Sequence, residues 1–312
     1  MENLKVIFMG TPEFSVEILN ALIEYCDVIG VVSQPDKKVG RKQIITPTPV
    51  KVVAEKHNIK IFQPVNIKTE YQEILDLNPD IIITCAYGQI VPKEILDYPK
   101  LGCINVHASL LPKLRGGAPI HKSIIEGYKE TGITIMYMDV AMDSGDIISQ
   151  RKTEILDTDN LETLSKRLSM IGKELLLDSL PSIIEGTNER IKQNESEVTY
   201  AYNIKREEEK INFDQTSREV FNQIRGLSPT PGAFMSIDNQ QIKVYSSVIG
   251  DEEKTQYPSG TVVKFYKDSI GIATNDGIIK ITSLKMPGKK EVLVKDYLNG
   301  AKEEDWILKK VE

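Results

Sequence analysis

The sequence predicts an α/β protein with a doubly wound, mostly parallel sheet, followed by a small antiparallel β-barrel of the OB type. Three observations lead there. Short apolar runs alternate with helical patterns through the first half of the chain. Those runs are apolar on both faces, as strands covered by helices on both sides must be. Beyond Gly186 the pattern changes to several short strands separated by turn residues.

Taken in order, residues 5–9 are a continuous apolar strand, and 12–25 repeat Phe14, Ile18 and Leu22 at helical spacing. A second strand covers 28–32. Residues 50–56 read as a helix, 61–62 as a short strand, 71–77 as a helix and 80–85 as a buried strand. Right-handed crossovers then wind these strands into one layer. Further strands follow at 103–107, 132–138 and 146–150, and a long amphipathic helix from Asn160 to about residue 184 closes the unit. Residues 187–209 are polar and charged. After a helix at 217–225, strands are expected at 233–237, 241–245, 260–265, 269–273 and 278–284. Asp238-Asn239, Lys267-Asp268 and Asn275-Asp276-Gly277 supply the turns between them. The chain is therefore expected to divide into a first domain at 1–188, a linker at 189–205 and a second domain at 206–312.

Length and composition agree with two soluble domains: 312 residues, 40% apolar, 27% charged. The net charge of −6 disfavours binding dominated by non-specific attraction to nucleic acid, although local basic patches stay open. No apolar run approaches the roughly 20 residues that cross a bilayer, so no membrane association is expected. The start, Met1 to Phe8, enters a strand at once and shows no basic leader or cleavage site. Cys26, Cys85 and Cys103 form no CxxC pair, which fits a reducing cytoplasm. His57, His107 and His121 never fall into metal-ligand spacing, so no metal is expected.

Open α/β sheets bind ligands beyond the carboxyl ends of their strands. Four polar clusters stand at such ends: Gly10-Thr11-Pro12, Ala86 to Ile90, Asn105 to Pro119, and Met142 to Asp146. The first lacks a full GxGxxG, and no GxxxxGK[ST] occurs anywhere, so dinucleotide and triphosphate binding lose their best support. By itself it reads as a tight turn with Pro12 opening a helix. Asn105 and His107 lie two apart on a strand and share a face. With Asp143 they make an amide, an imidazole and a carboxylate, a set suited to acyl transfer onto an amine. The amide can donate to an oxyanion. Imidazole exchanges protons near neutral pH, and the carboxylate can orient it. A satisfied, partly buried histidine beside a turn aspartate is the competing reading. GxSxG is absent, which favours direct transfer over an acyl-enzyme. The loop 33–49 carries Lys37, Lys38, Arg41 and Lys42 against Asp36. It is either a solvated surface loop or a grip on a phosphate backbone.

These motifs closely resemble the methionyl-tRNA formyltransferase family. The likeness runs through Val6 to Phe14, Gly40-Arg41-Lys42, Pro49-Val50-Lys51 and Phe62-Gln63-Pro64. It continues through Ala86 to Pro92, Asn105 to Pro119, Met142 to Asp146, Gly226 to Phe234 and Pro287 to Lys290. The resemblance implies a formyltransferase-type, Rossmann-like first domain and a C-terminal domain that contacts tRNA. It implies 10-formyltetrahydrofolate as co-substrate and initiator methionyl-tRNA as acceptor, in a cytoplasmic protein expected to be a monomer. It carries Asn105, His107 and Asp143 over as the catalytic set. Ser109, Leu110, Leu111 and Pro112 become folate-contacting positions, joined by Tyr87, Gly88, Gln89 and Ile90. Lys38, Arg41, Lys42 and the turn Gly10, Thr11, Pro12 become tRNA-binding. Residues 206–312 hold 16 basic and 17 acidic residues, an unusual balance for a tRNA-contacting domain, although Lys280, Lys285, Lys289 and Lys290 cluster. A formyltransferase of a small amine and a non-catalytic tRNA- or folate-binding module are the alternatives.

Overall fold

A computed structural model describes residues 1–40, 42–250 and 255–311. The chain forms two compact units. One takes Met1–Pro119, Glu130–Glu154 and Ser165–Tyr202; the other takes Ile120–Lys129, Ile155–Leu164 and the remainder from Asn203. Two short segments of the stretch expected as an unbroken first domain thus cluster with the second unit.

The first unit opens with β1 (Lys5–Gly10), whose last five residues are all buried. A single 3-10 turn at Glu13–Ser15 precedes α1 (Val16–Tyr25), which buries Ile18, Leu19, Ala21 and Leu22. Then come β2 (Asp27–Val32), a short hairpin of β3 (Lys37–Val39) and β4 (Ile44–Thr46), and α2 (Pro49–Lys56). Thr48 caps α2 by accepting from the Lys51 amide, and Pro49 sits in its first turn, where no amide donor is needed. β5 (Ile61–Phe62), α3 (Gln72–Leu75), β6 (Ile81–Cys85), α4 (Lys93–Leu96) and β7 (Cys103–His107) complete the alternation. α5 (Pro119–Ile125) follows, then β8 (Glu130–Tyr137), β9 (Ile147–Glu154) and α6 (Leu161–Glu185).

The sheet runs β5-β2-β1-β6-β7-β8-β9. Its first five strands are parallel, and β1 pairs with both β2 and β6. That reversal of strand order makes the β1/β6 edge the switch point at which such sheets bind ligands. β8 and β9 are antiparallel to their neighbours. Residues 138–146 join β8 to β9 as a hairpin, whereas β7 reaches β8 through a longer stretch that holds α5. The mostly parallel sheet expected from the sequence is therefore what forms. On α6, Gly172 faces β7: a Cβ there would stand 3.1 Å from Val106 Cγ1.

The stretch expected as a linker at 189–205 is tied down along much of its length. Ile191 and Ile147 exchange both backbone hydrogen bonds, at 2.8 and 2.9 Å. Arg115 N donates to Thr199 O, Ala201 N to Arg115 O, and Ala118 N to Ala201 O. Main-chain pairing holds this segment, so it needs no apolar periodicity and showed none.

In the second unit, α7 (Ser217–Gly226) begins with a reciprocal cap between Thr216 and Glu219. β10 (Ala233–Ile237), β11 (Gln240–Ile249), β12 (Val262–Phe265), β13 (Ile270–Ala273), β14 (Ile278–Lys285), β15 (Val292–Leu293) and α8 (Val294–Tyr297) follow. The antiparallel sheet runs β10-β11-β14-β13-β12, with β15 beside β14. Register shifts near Ser246 in β11 let this ten-residue strand bend. The result is the curled, barrel-like sheet expected, packed around Val220, Ile224, Ile242, Val244 and Ile281.

Candidate active site

Side chains alternate along β7. Val106 faces Gly172 of α6, which leaves Asn105 and His107 on the other face of the sheet. Thr84 stands in register with Asn105 on β6 and donates its hydroxyl to Asn105 Oδ1 at 2.9 Å. With its oxygen engaged, the amide presents its NH2 outward, 3.5 Å from Asp143 Oδ1. His107 is 5% exposed, and its Nε2 lies 3.1 Å from Leu114 O. A carbonyl only accepts, so Nε2 carries the hydrogen. Nδ1 then faces Asp143 Oδ2 at 3.7 Å, an ion pair whenever Nδ1 is also protonated. Asp143 Oδ2 accepts from Gly116 N at 2.8 Å. An amide donor, an imidazole nitrogen and a carboxylate thus meet in one half-buried place.

The placement of Asp143 departs from the carboxyl-end rule. β8 runs antiparallel to β7, so its end at Tyr137 lies beside Ile104, away from His107. The turn after it folds back to bring Asp143 to β7. Asp143 does this with a φ of 50°, and Leu114 opposite has a φ of 61°. Left-handed backbone at a leucine is uncommon and persists only where surroundings over-determine it. Gly116, with a φ of 125°, lies where a Cβ would come within 2.7 Å of Ala201 O.

Residues 109–112 are fixed by Thr134, whose Oγ1 donates to Ser109 O at 2.7 Å and accepts from Leu111 N at 3.1 Å. Gln150 Nε2 donates to both Thr134 Oγ1 and Leu111 O. Ser109 is buried, with its hydroxyl on Lys113 O, and Leu111 packs with Met136 and Ile147. Leu110 and Pro112 remain half-exposed.

The comparisons with known proteins bear on this site. Residues 3–180 match the family described as Formyl transferase, and 203–302 match Formyl transferase, C-terminal domain. A methionyl-tRNA formyltransferase of Bacillus thuringiensis subsp. konkukian is 52% identical over 305 residues, 96% of this chain and 97% of the relative. One from Staphylococcus aureus strain MW2 is 49% identical over 300 residues, 95% and 96% of the two chains. The chain belongs to the methionyl-tRNA formyltransferase family. Its fold also matches a sugar 3N-formyl transferase solved in the presence of dTDP and 5-N-formyl-THF. That likeness has a TM-score of 0.66 at 23% identity and covers 93% of this chain and all of the other.

Among the other family positions, Ile90 is 69% exposed and Gly88 has a φ of 92°. Gln89 braces a neighbouring loop, accepting from Ile67 N and donating to Pro64 O. The Tyr87 ring is buried in a cluster with Ile7, Met9 and Val91, burial pushes its hydroxyl well above the usual range, and its carbonyl accepts hydrogen bonds from Thr11 and Gln34. Thr11 Oγ1 donates to that carbonyl at 2.9 Å and accepts from Gln34 N. Gly10 is buried too: a Cβ there would reach 2.6 Å from the Phe8 ring. Within that turn Gly10 is buried, Thr11 is half-buried with its hydroxyl engaged, and Pro12 is exposed.

Lys38 and Lys42 are exposed on the β3–β4 hairpin, and Arg41 lies outside the described residues. The base of the hairpin is anchored. Lys51 Nζ reaches Asp36 at 2.7 Å and Gln63 Oε1 at 3.0 Å, and Gln63 Nε2 donates to Asp36 and to Gln34 O. Lys51 and then Gln63 hold the Asp36 carboxyl below the usual carboxylate range. Sequence reasoning missed Thr84, Thr134, Gln150 and Gln193. Only their place opposite named residues gives them away. Burial pushes the thiols of Cys85 and Cys103 up to about 12. Among the described residues, no three His, Cys, Asp or Glu side chains could hold a metal, and no helix is long and apolar enough to cross a membrane.

Proposed function

We propose that this chain transfers the formyl group of 10-formyltetrahydrofolate to the free amino group of methionyl initiator tRNA by direct attack, with Asn105, His107 and Asp143 as the catalytic groups. The observation that carries this is the meeting of the three within 3.7 Å, with the Asn105 amide locked by Thr84. The amine nitrogen attacks the formyl carbon and the carbonyl becomes an oxyanion. Asn105 NH2 and protonated His107 stabilise that charge. Asp143 orients His107 and assists loss of the ammonium proton. The carbon–N10 bond then breaks, N10 takes a proton, and the products are formylmethionyl-tRNA and tetrahydrofolate.

Folate would lie between residues 86–91, 109–117 and 139–145, where Ile90, Leu110 and Pro112 have surface to offer. Lys38, Arg41 and Lys42 would hold the phosphate backbone of the acceptor stem. All three catalytic groups come from one chain, which suits a monomer, and three buried, unpaired cysteines suit the cytoplasm. The test offers the purified protein formylfolate with charged initiator tRNA, charged elongator tRNA and free methionine side by side. Formylation of the initiator alone is expected, and Asp143→Ala should abolish it while the thermal melt stays near that of the parent. Normal turnover in Asp143→Ala would refute the assignment. Equal rates with free methionine would shift it to small-amine acceptors.

A further inference from the structure

The segment tied down at 191–201 carries one side chain with every hydrogen-bonding position filled. Gln193 Nε2 donates to the main-chain oxygens of Asp143 at 2.8 Å and Gly145 at 2.9 Å. Its Oε1 accepts from Arg115 Nε at 3.0 Å and Nη2 at 2.9 Å. The partners dictate the orientation: a guanidinium only donates and a carbonyl only accepts, so the amide fits one way round. Arg115 is itself 3% exposed, and its outer nitrogens reach the Glu195 carboxylate at 2.7 and 3.3 Å. The next residue, Gly116, donates to the Asp143 carboxylate. Asp143 is therefore held at both ends, by Gly116 at its carboxylate and by Gln193 at its main chain, and both holds lead back to Arg115.

We infer that Gln193 is a positioning residue for formyl transfer, whose amide NH2 fixes the left-handed main chain of Asp143 and hence the direction in which its carboxylate meets Asn105 and His107. This rests on the catalytic role proposed for Asp143. A left-handed aspartate in a turn has an easy alternative conformer, and changing φ there swings the carboxylate away from His107. A misplacement of about 1 Å at a reacting group costs on the order of a hundredfold in rate. The stretch looks like a polar linker in sequence, yet it supplies the clasp that closes the Asp143 turn.

The test compares Gln193→Glu with Gln193→Ala in the full-length protein, with Asp143→Ala beside them. Glutamate keeps oxygens for Arg115 but replaces the donor with a second oxygen facing two carbonyls. Both Gln193 variants are expected to lower kcat by about ten- to a hundredfold. The KM for formylfolate and for charged tRNA should each stay within about twofold, because the Gln193 amide is spent on Arg115, Asp143 and Gly145 and has no hydrogen-bonding position left for a substrate. Wild-type kcat in Gln193→Glu would overturn the inference, since the Arg115 contact alone would then suffice. A rise in both KM values matching the fall in kcat/KM would also overturn it, because that marks general loosening of the site. If Gln193→Ala fails to fold, Gln193→Glu decides alone. Should Asp143→Ala turn over normally, the catalytic reading itself fails; should it be inactive while Gln193→Glu is normal, only the role of Gln193 falls.

Discussion

At residue scale the site depends on which way an amide points. Asn105 can offer its NH2 to an oxyanion only while something else engages its oxygen, and Thr84 does so at 2.9 Å. Thr84→Val keeps the shape and removes the hydroxyl. Asn105 Oδ1 then loses that donor, and the approach of its NH2 to Asp143 Oδ1 at 3.5 Å is left to orient the amide. A lost hydrogen bond to a buried polar group is worth about 1–3 kcal/mol, so kcat should fall by about tenfold or more while both KM values hold. Steady-state kinetics on the purified variant would check this; an unchanged kcat would mean that the amide is oriented by other means. Asn105 and His107 were legible in the sequence because a polar pair interrupts an apolar run. Thr84 was not, because one hydroxyl in DIIITC looks like an ordinary strand residue until its register with Asn105 is known. Asp143 was legible as a residue but not as a geometry. Nothing in its neighbours announces that β8 runs antiparallel and that its turn must fold back.

At element scale, strands and long helices could be read because packing imposes a period, whereas hairpins and straps held by main-chain bonds impose none. The β3–β4 hairpin shows the difference. Val39, Ile44 and Ile45 are more than half exposed there, so its own packing contributes little to holding it. What fixes it is the anchor of Asp36, Lys51 and Gln63 at its base. Those three residues lie on the loop, on α2 and after β5, and no local pattern joins them. Gln63→Leu removes both amide bonds, to Asp36 and Gln34, and leaves the Lys51–Asp36 pair to hold the base of the hairpin. If the hairpin grips tRNA, the KM for charged tRNA should rise several-fold while that for formylfolate is unchanged. Equal changes in both would separate the anchor from tRNA binding.

At the scale of the whole molecule, pH acts on the fold through groups that the chemistry does not use. His121 belongs to the second unit, and burial lowers its pKa, opposed in part by a backbone hydrogen bond with Thr230. The folded value therefore lies below the unfolded value of about 6.5. In the window between the two, the unfolded chain binds more protons than the folded one, so stability rises with pH there and is complete above it. Asp157 and Glu219 of the same unit have the opposite origin: Arg218 and Thr216 respectively hold their carboxyls low. Their contribution is present above about pH 4 and disappears only as pH falls through their folded values. Loss of stability on acidification should therefore begin near pH 6.5, well before carboxylates protonate. His121→Gln, which cannot charge, should flatten the dependence of Tm on pH between about 7 and 5.5 and leave the steep loss below pH 4 in place. Thermal melts of the two proteins across that range decide the matter. If the parent shows no slope above pH 5.5, or the variant keeps it, burial of His121 is not what the proton reads.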